Sequence, residues 1–238
     1  VEDVTLQQFS DDIAALSTFL KQKYGTDISL FLMGHSWGGT TGTHALLNTN
    51  VQTDLKGWIE VDGAHDIPLL NKEAIKMFLE IGNTEISAGN NTEKWQEIVD
   101  FAAKVDTNNI TVDEGGQING YGFEAEGLMA QITSGASGEP SHGLLTSPLT
   151  SLTNKISGSA TANAINAETE KASMTADLNK ITIPSLFLWG KYDFVVPPSL
   201  GQMAFDRVGS SEKELVIFEH SGHSPMDNEA ALFSAKVI

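Results

Sequence analysis

Ile28-Ser29-Leu30-Phe31-Leu32-Met33-Gly34-His35-Ser36-Trp37-Gly38-Gly39 is the stretch on which the fold turns. Its short apolar opening has the character of a parallel strand buried on both faces. Gly34 to Gly38 then fit Gly-x-Ser-x-Gly, and the small-residue run from Thr40 to Leu47 reads as a helix. A serine on a sharp strand-to-helix turn has a strained backbone and must project Oγ clear of its neighbours, which therefore have to be small. Gly34 and Gly38 are expected to permit this close approach, with Gly39 leaving room for the helix to pack. The hydroxyl then stands near a helix N-terminus, where free N–H groups favour developing negative charge. The backbone N–H of Trp37 is the expected oxyanion donor.

Outward from this turn the chain keeps a strand–helix rhythm. Before it, residues 5–20 form an amphipathic pattern: Thr5 and Gln8 have capping-box spacing, and Leu6, Phe9, Ile13, Leu16 and Leu20 recur at helical intervals. Gly25 offers a C-terminal cap. After it, Gly57–Asp62 reads as a second strand. From Ile67 to about Lys180 the pattern changes to expected helices (Lys72–Ile81, Glu93–Val105 and Ala160–Leu178) separated by loops rich in Gly, Asn, Ser and Thr. Strand character resumes at Ile183–Trp189 and Glu214–Phe218. The chain therefore reads as α/β, with a mostly parallel sheet and helices on both faces. The expected division is a first core part, 1–66, a helical insertion capping the site, 67–180, and a second core part, 181–238.

A neutral serine is a poor nucleophile and needs a base that is itself held by a third group. Asp193 lies just past a strand in Trp189-Gly190-Lys191-Tyr192-Asp193-Phe194-Val195-Val196-Pro197, and His223 just past the next in Glu219-His220-Ser221-Gly222-His223-Ser224-Pro225. Both fall on the strand-end side that carries Ser36, where sites of α/β sheets form. The order serine, acid, histidine makes Ser36 the nucleophile, Asp193 the acid and His223 the base. Asp62 also follows a strand and is the alternative acid, although its loop has poorer turn chemistry. His220 with His223 suggests a metal pair, but no third ligand has helpful spacing, so no metal site is expected. His35 is expected to pack in the turn or donate a hydrogen bond, His44 to lie on a helix face, and His220 to be a structural loop residue. His65 and His142 read as surface positions. The sequons at Asn90 and Asn109 carry no weight without secretory evidence.

Composition narrows the class. The chain has 238 residues, 40% hydrophobic and 19% charged, which is the make-up of a globular domain. A net charge of −17 argues against nucleic acid as a partner, because phosphate binding needs basic patches. The absence of cysteine excludes disulfides, thiolate metal sites and a cysteine nucleophile. No apolar run approaches the roughly 20 residues that span a bilayer. No signal segment is visible at Val1, and the compartment is left open.

Together Phe31–Gly39, Ile183–Pro197 and Glu219–Met226 resemble the three signature regions of α/β-hydrolase-fold enzymes with a helical cap, among them carboxylesterases, lipases and the proline-iminopeptidase-like group. The resemblance implies that Ser36 attacks a carbonyl to form an acyl-enzyme, which water activated by His223 then hydrolyses. No cofactor is implied. A serine at position 36 argues against haloalkane dehalogenases and epoxide hydrolases, which need aspartate there. The expected substrate is a small-molecule ester or amide. An aminopeptidase preferring N-terminal proline is the alternative, and Glu124, Glu126 or Glu168 would then meet the substrate amine. A non-catalytic ligand-binding module of the same fold is the other, although none of the triad positions is substituted. The family has about four strands before the helix that leads to the turn, and the loop after the third carries the second oxyanion donor. Val1 begins at that helix, so the nucleophile strand is expected at a bare sheet edge, and a missing N-terminal segment or a second chain is expected to complete the sheet.

Overall fold

The computed structural model describes residues 4–134, 165 and 168–238. Among these residues four parallel strands form one sheet in the order β1 (Leu30–His35), β2 (Leu55–Val61), β3 (Ser185–Gly190) and β4 (Lys213–Phe218). Helix α1 (Leu6–Tyr24) precedes β1, and α2 (Trp37–Asn48) follows it. The expected cap at Thr5 is present, its hydroxyl accepting the Gln8 N–H at 3.1 Å.

Side chains alternate across the strands, so β2, β3 and β4 each feed two cores. On one face Leu32, Trp58, Phe187 and Trp189 pack with Ile13 of α1, Leu46 of α2, and Leu200 and Ala204 of α6 (Pro198–Arg207). On the other, Val61, Leu188 and Phe218 meet Met226 of α7 (Pro225–Asn228) and Phe233 and Val237 of α8 (Ala230–Val237). The second core is small and stops short of β1. Phe31 and Met33, which point to that side, are 61% and 54% exposed. This corrects the expectation of a strand buried on both faces: β1 is an edge strand covered on one face only, among the described residues.

The segment after β2 builds its own layer. Helices α3 (Ile67–Ala88), α4 (Thr92–Ala102) and α5 (Val112–Ser134) share a core of Phe78, Trp95, Ile98, Ile118 and Ala125. Phe194, the residue after Asp193, is buried in that core, 6.1 Å from the Phe78 ring and 5.7 Å from Trp95. The chain leaves and re-enters the sheet at one place. Asp66 caps α3 by accepting the Leu69 N–H at 3.1 Å, accepts the Ser173 hydroxyl at 2.8 Å, and pairs with Ser173 in an antiparallel bridge.

Two helical expectations need amending. Part of Ala160–Leu178 lies outside the described residues, and the rest is not one helix. The bridge at Ser173 interrupts it, and Thr175–Lys180 is a 3₁₀ stretch leading into β3. Helix α5 was not expected, because Gly115, Gly116, Gly120, Gly122 and Gly127 depress its intrinsic propensity. His142 also lies outside the described residues.

Candidate active site

Ser36 sits where β1 meets α2, at φ 56° and ψ −118°. A non-glycine residue with positive φ is strained, and such strain persists only where the surroundings enforce it. Here the Ser36 N–H donates to the Val61 carbonyl at 3.0 Å, while its own carbonyl accepts the Gly39 and Ala64 N–H groups at 2.8 and 3.0 Å. The side chain makes no capping bond to α2, so Oγ is not spent on the helix. Trp37 supplies the first N–H of α2, a donor with no partner within the helix. Its ring packs edge-on against Phe9 at 4.9 Å and is 39% exposed.

The glycines divide their duties differently from the expectation. A Cβ at Gly34 would collide with the Gly38 carbonyl, and one at Gly39 with Gly63. A Cβ at Gly38 would meet nothing within 4 Å. Gly38 therefore takes part through its backbone, against Gly34, and not through the smallness of its own side chain.

Asp193 and His223 come from neighbouring strand ends. The Gly190 turn and the Gly222 turn pack backbone to backbone, with no room for a Cβ at Gly190. His223 Nδ1 lies 2.9 Å from Asp193 Oδ2, both side chains being buried. The other carboxylate oxygen, Oδ1, accepts the N–H groups of Val195 and Val196 at 2.9 and 2.6 Å. Nδ1 therefore carries the proton, and Nε2 is left as the basic nitrogen. His35, next to Ser36, donates from Nε2 to the His223 carbonyl at 2.7 Å, with the two rings 4.8 Å apart. That contact brings Ser36 to the Asp193–His223 pair. Among the described residues no hydrogen bond joins Ser36 Oγ to His223; in ligand-free sites this bond is often long and tightens with substrate.

Two further carboxyls surround the histidine. Asp62, fully buried at the end of β2 with φ 44°, accepts the Gly190 N–H at 2.9 Å through Oδ1, and its Oδ2 accepts no donor. Burial, followed by repulsion from Asp193, pushes Asp62 well above the usual carboxylate range. Of the carboxyls here it accepts the fewest N–H bonds and is best suited to hold a proton. Asp193 is raised too, by burial and then by Glu126, against the pull of its N–H donors. Glu126 of α5 accepts the Phe194 N–H through Oε1 and the His223 N–H through Oε2, each at 3.2 Å. Burial lowers His223 below an ordinary histidine, and Asp62 and Glu126 oppose that fall. His35, Asp62 and His223 hold ligand-type atoms within 4.8 Å of one another. His223 Nδ1, His35 Nε2 and Asp62 Oδ1 are already hydrogen-bonded within the protein.

The remaining expected residues lie elsewhere. His65 is not at the surface: it is fully buried, with Nδ1 donating to Glu60 Oε1 at 2.8 Å. Burial alone would lower it, but the Glu60 carboxylate outweighs that and raises it. His44, on α2, is 2.7 Å from the Ser10 hydroxyl. The backbone N–H of His220 donates to Glu229 at 2.9 Å. Of the three acidic residues considered for a substrate amine, Glu124 pairs with Lys94 at 3.2 Å and Glu168 accepts the Leu6 N–H at 2.9 Å. Glu126 is committed to the loops that carry Asp193 and His223.

Residues 152–231 match the family described as "Serine aminopeptidase, S33". A stretch of 54 residues, 23% of this chain, is 33% identical to the "Probable aminopeptidase YbaC" of Bacillus subtilis (strain 168) and spans only 17% of that protein's length. Among solved structures, proline iminopeptidase from Mycobacterium smegmatis superposes with a TM-score of 0.58 at 16% identity, over 98% of this chain and 70% of that one. An esterase from Exiguobacterium antarcticum gives 0.53 at 18% identity over 98% and 72%. A thermophilic esterase from Thermogutta terrifontis gives 0.51 at 15% over 99% and 71%.

Proposed function

We propose that this chain, which has the α/β-hydrolase fold, is a serine hydrolase cleaving a small carboxylic ester or amide through an acyl-enzyme on Ser36. The observation that carries this reading is the buried Asp193–His223 pair, 2.9 Å across, tied through the His223 carbonyl to His35, the neighbour of a serine of positive φ, at the same end of the sheet. In this reading His223 Nε2 takes the Ser36 proton as Oγ adds to the substrate carbonyl. The Trp37 N–H meets the developing oxyanion. His223 then protonates the leaving group and afterwards activates the water that releases the acid. Asp193 holds the imidazole with Nδ1–H inward and stabilises the imidazolium. In the same reading the layer of α3, α4 and α5 acts as the cap over this site.

The aminopeptidase alternative is favoured by the match of residues 152–231 and by the curated relative. The three carboxylates considered for its substrate amine, Glu124, Glu126 and Glu168, all have other partners. Turnover of short-chain aryl esters against proline arylamide, with Ser36→Ala as control, tests both readings. Ester cleavage abolished by Ser36→Ala is the expected result. Turnover unaffected by that change would remove the serine mechanism, and preferential arylamide cleavage would move the assignment to the aminopeptidase.

A further inference from the structure

Glu126 belongs to α5, outside the sheet, yet its one carboxylate accepts backbone N–H groups from both loops that the site depends on: Phe194 beside Asp193, and His223 itself, each at 3.2 Å. The loops leave different strands, β3 and β4, so the 2.9 Å between Asp193 and His223 depends on how they are held relative to each other. The contact is closely fitted. A Cβ at Gly222 would stand 2.7 Å from Glu126 Oε2, and a Cβ at Gly122, one turn earlier on α5, would stand 2.8 Å from the Phe194 carbonyl oxygen. Phe123 of the same helix stands edge-on to the His223 ring at 6.1 Å.

Packing alone does not require a carboxylate in such a place, and burying one is costly unless it is hydrogen-bonded. Burial raises the Glu126 carboxyl above its ordinary value, the two N–H donors oppose that rise, and its charge lies close enough to influence the histidine. The groups facing His223 are Asp193 from the β3 loop, Asp62 from the end of β2, His35 from β1 and Glu126 from α5, with Asp227 of α7 acting on His35.

We propose that Glu126 is a positioning residue that clamps the acid loop to the histidine loop and adds a negative charge beside the imidazolium formed during the reaction. The inference rests on the serine-hydrolase reading above. It makes the α3–α5 layer part of the triad's scaffold.

The test is Glu126→Gln, with rates expressed per active site titrated by a fluorophosphonate, so that misfolded protein does not enter. The amide is nearly isosteric, but it turns an N–H donor toward one of the two backbone donors and removes the charge. The expected result is a kcat loss of about ten- to hundredfold, as a small misplacement of catalytic groups produces, with KM largely unchanged. The acid limb of kcat/KM should move to lower pH, because a charge favouring protonated His223 is gone. Glu126→Asp, which keeps the charge but shortens the reach, should lose kcat while leaving the acid limb in place. It carries the test if the glutamine variant does not fold. An unchanged kcat in Glu126→Gln, or an equal loss in both variants with no movement of the acid limb in either, would overturn the proposal. Ser36→Ala is run alongside: if it is inactive while Glu126→Gln behaves as wild type, the clamp alone falls, whereas wild-type turnover by Ser36→Ala removes both readings.

Discussion

At the scale of single residues, the environment of His223 sets the pH at which it can act as a base. Burial disfavours the imidazolium, so the free enzyme should keep its basic histidine below the ordinary value of about 6.5. A pH profile of kcat/KM on an ester should therefore have its acid limb below that value, and a limb above it would contradict the assignment. Two aspartates compete for the role of acid, and substitution separates them. Asp193→Asn removes the acceptor for Nδ1–H and should reduce kcat by about 10,000-fold. Asp62→Asn keeps an acceptor for the Gly190 N–H and suits the left-handed backbone at this position, so its effect on kcat should stay within about tenfold. It should also stabilise. A carboxyl whose pKa is raised on folding gives stability at low pH and loses it as pH rises toward the folded value. The thermal advantage of Asp62→Asn should accordingly grow as pH rises above about 4, and a constant difference would argue that Asp62 is ionised throughout. The placement of Ser36, Asp193 and His223 after three strands was legible in the sequence because each sits in a turn whose local chemistry marks a strand end. The burial of His65 was not legible, because its partner Glu60 is identified only when β2 is seen to turn that side chain inward. Glu126 drew attention as a carboxylate, but what it does depends on which loops α5 touches.

At the scale of elements, the strand–turn–helix junction makes a prediction that distinguishes its two glycines. Gly34→Ala must push the Gly38 carbonyl away and should destabilise by about 1–3 kcal/mol, the usual cost of overpacking. Gly38→Ala meets nothing and replaces a helical glycine, so its stability should be unchanged or raised by up to about 1 kcal/mol. Denaturant melts of the two variants check both signs, and equal destabilisation would mean that α2 sits differently against β1. The four strands were legible because each is a short apolar run bounded by turn residues. Helix α5 was hidden by its glycines. Gly122 is required where the helix meets the acid loop, so the feature that obscured the helix is part of how it docks.

At the scale of the whole molecule, the sheet has one protected and one open side at β1. Phe31 and Met33 are exposed on an edge strand, a combination that favours self-association. Replacing both with lysine should reduce light scattering at high protein concentration and leave ester turnover per active site unchanged; increased scattering would show that these side chains pack against something. The acidic surface, with a formal charge of −17, and the lack among the described residues of any helix long and apolar enough to cross a membrane were both readable from composition. What composition and periodicity do not encode is how two loops and a helix far apart in sequence converge on one histidine. The most direct test is to treat the chain with a fluorophosphonate and locate the adduct by mass spectrometry, in wild type, Ser36→Ala and His223→Ala. A Ser36 nucleophile activated by His223 predicts label on Ser36 alone, absent from Ser36→Ala and strongly reduced in His223→Ala. No label on the wild type, or label that persists in Ser36→Ala, would contradict it.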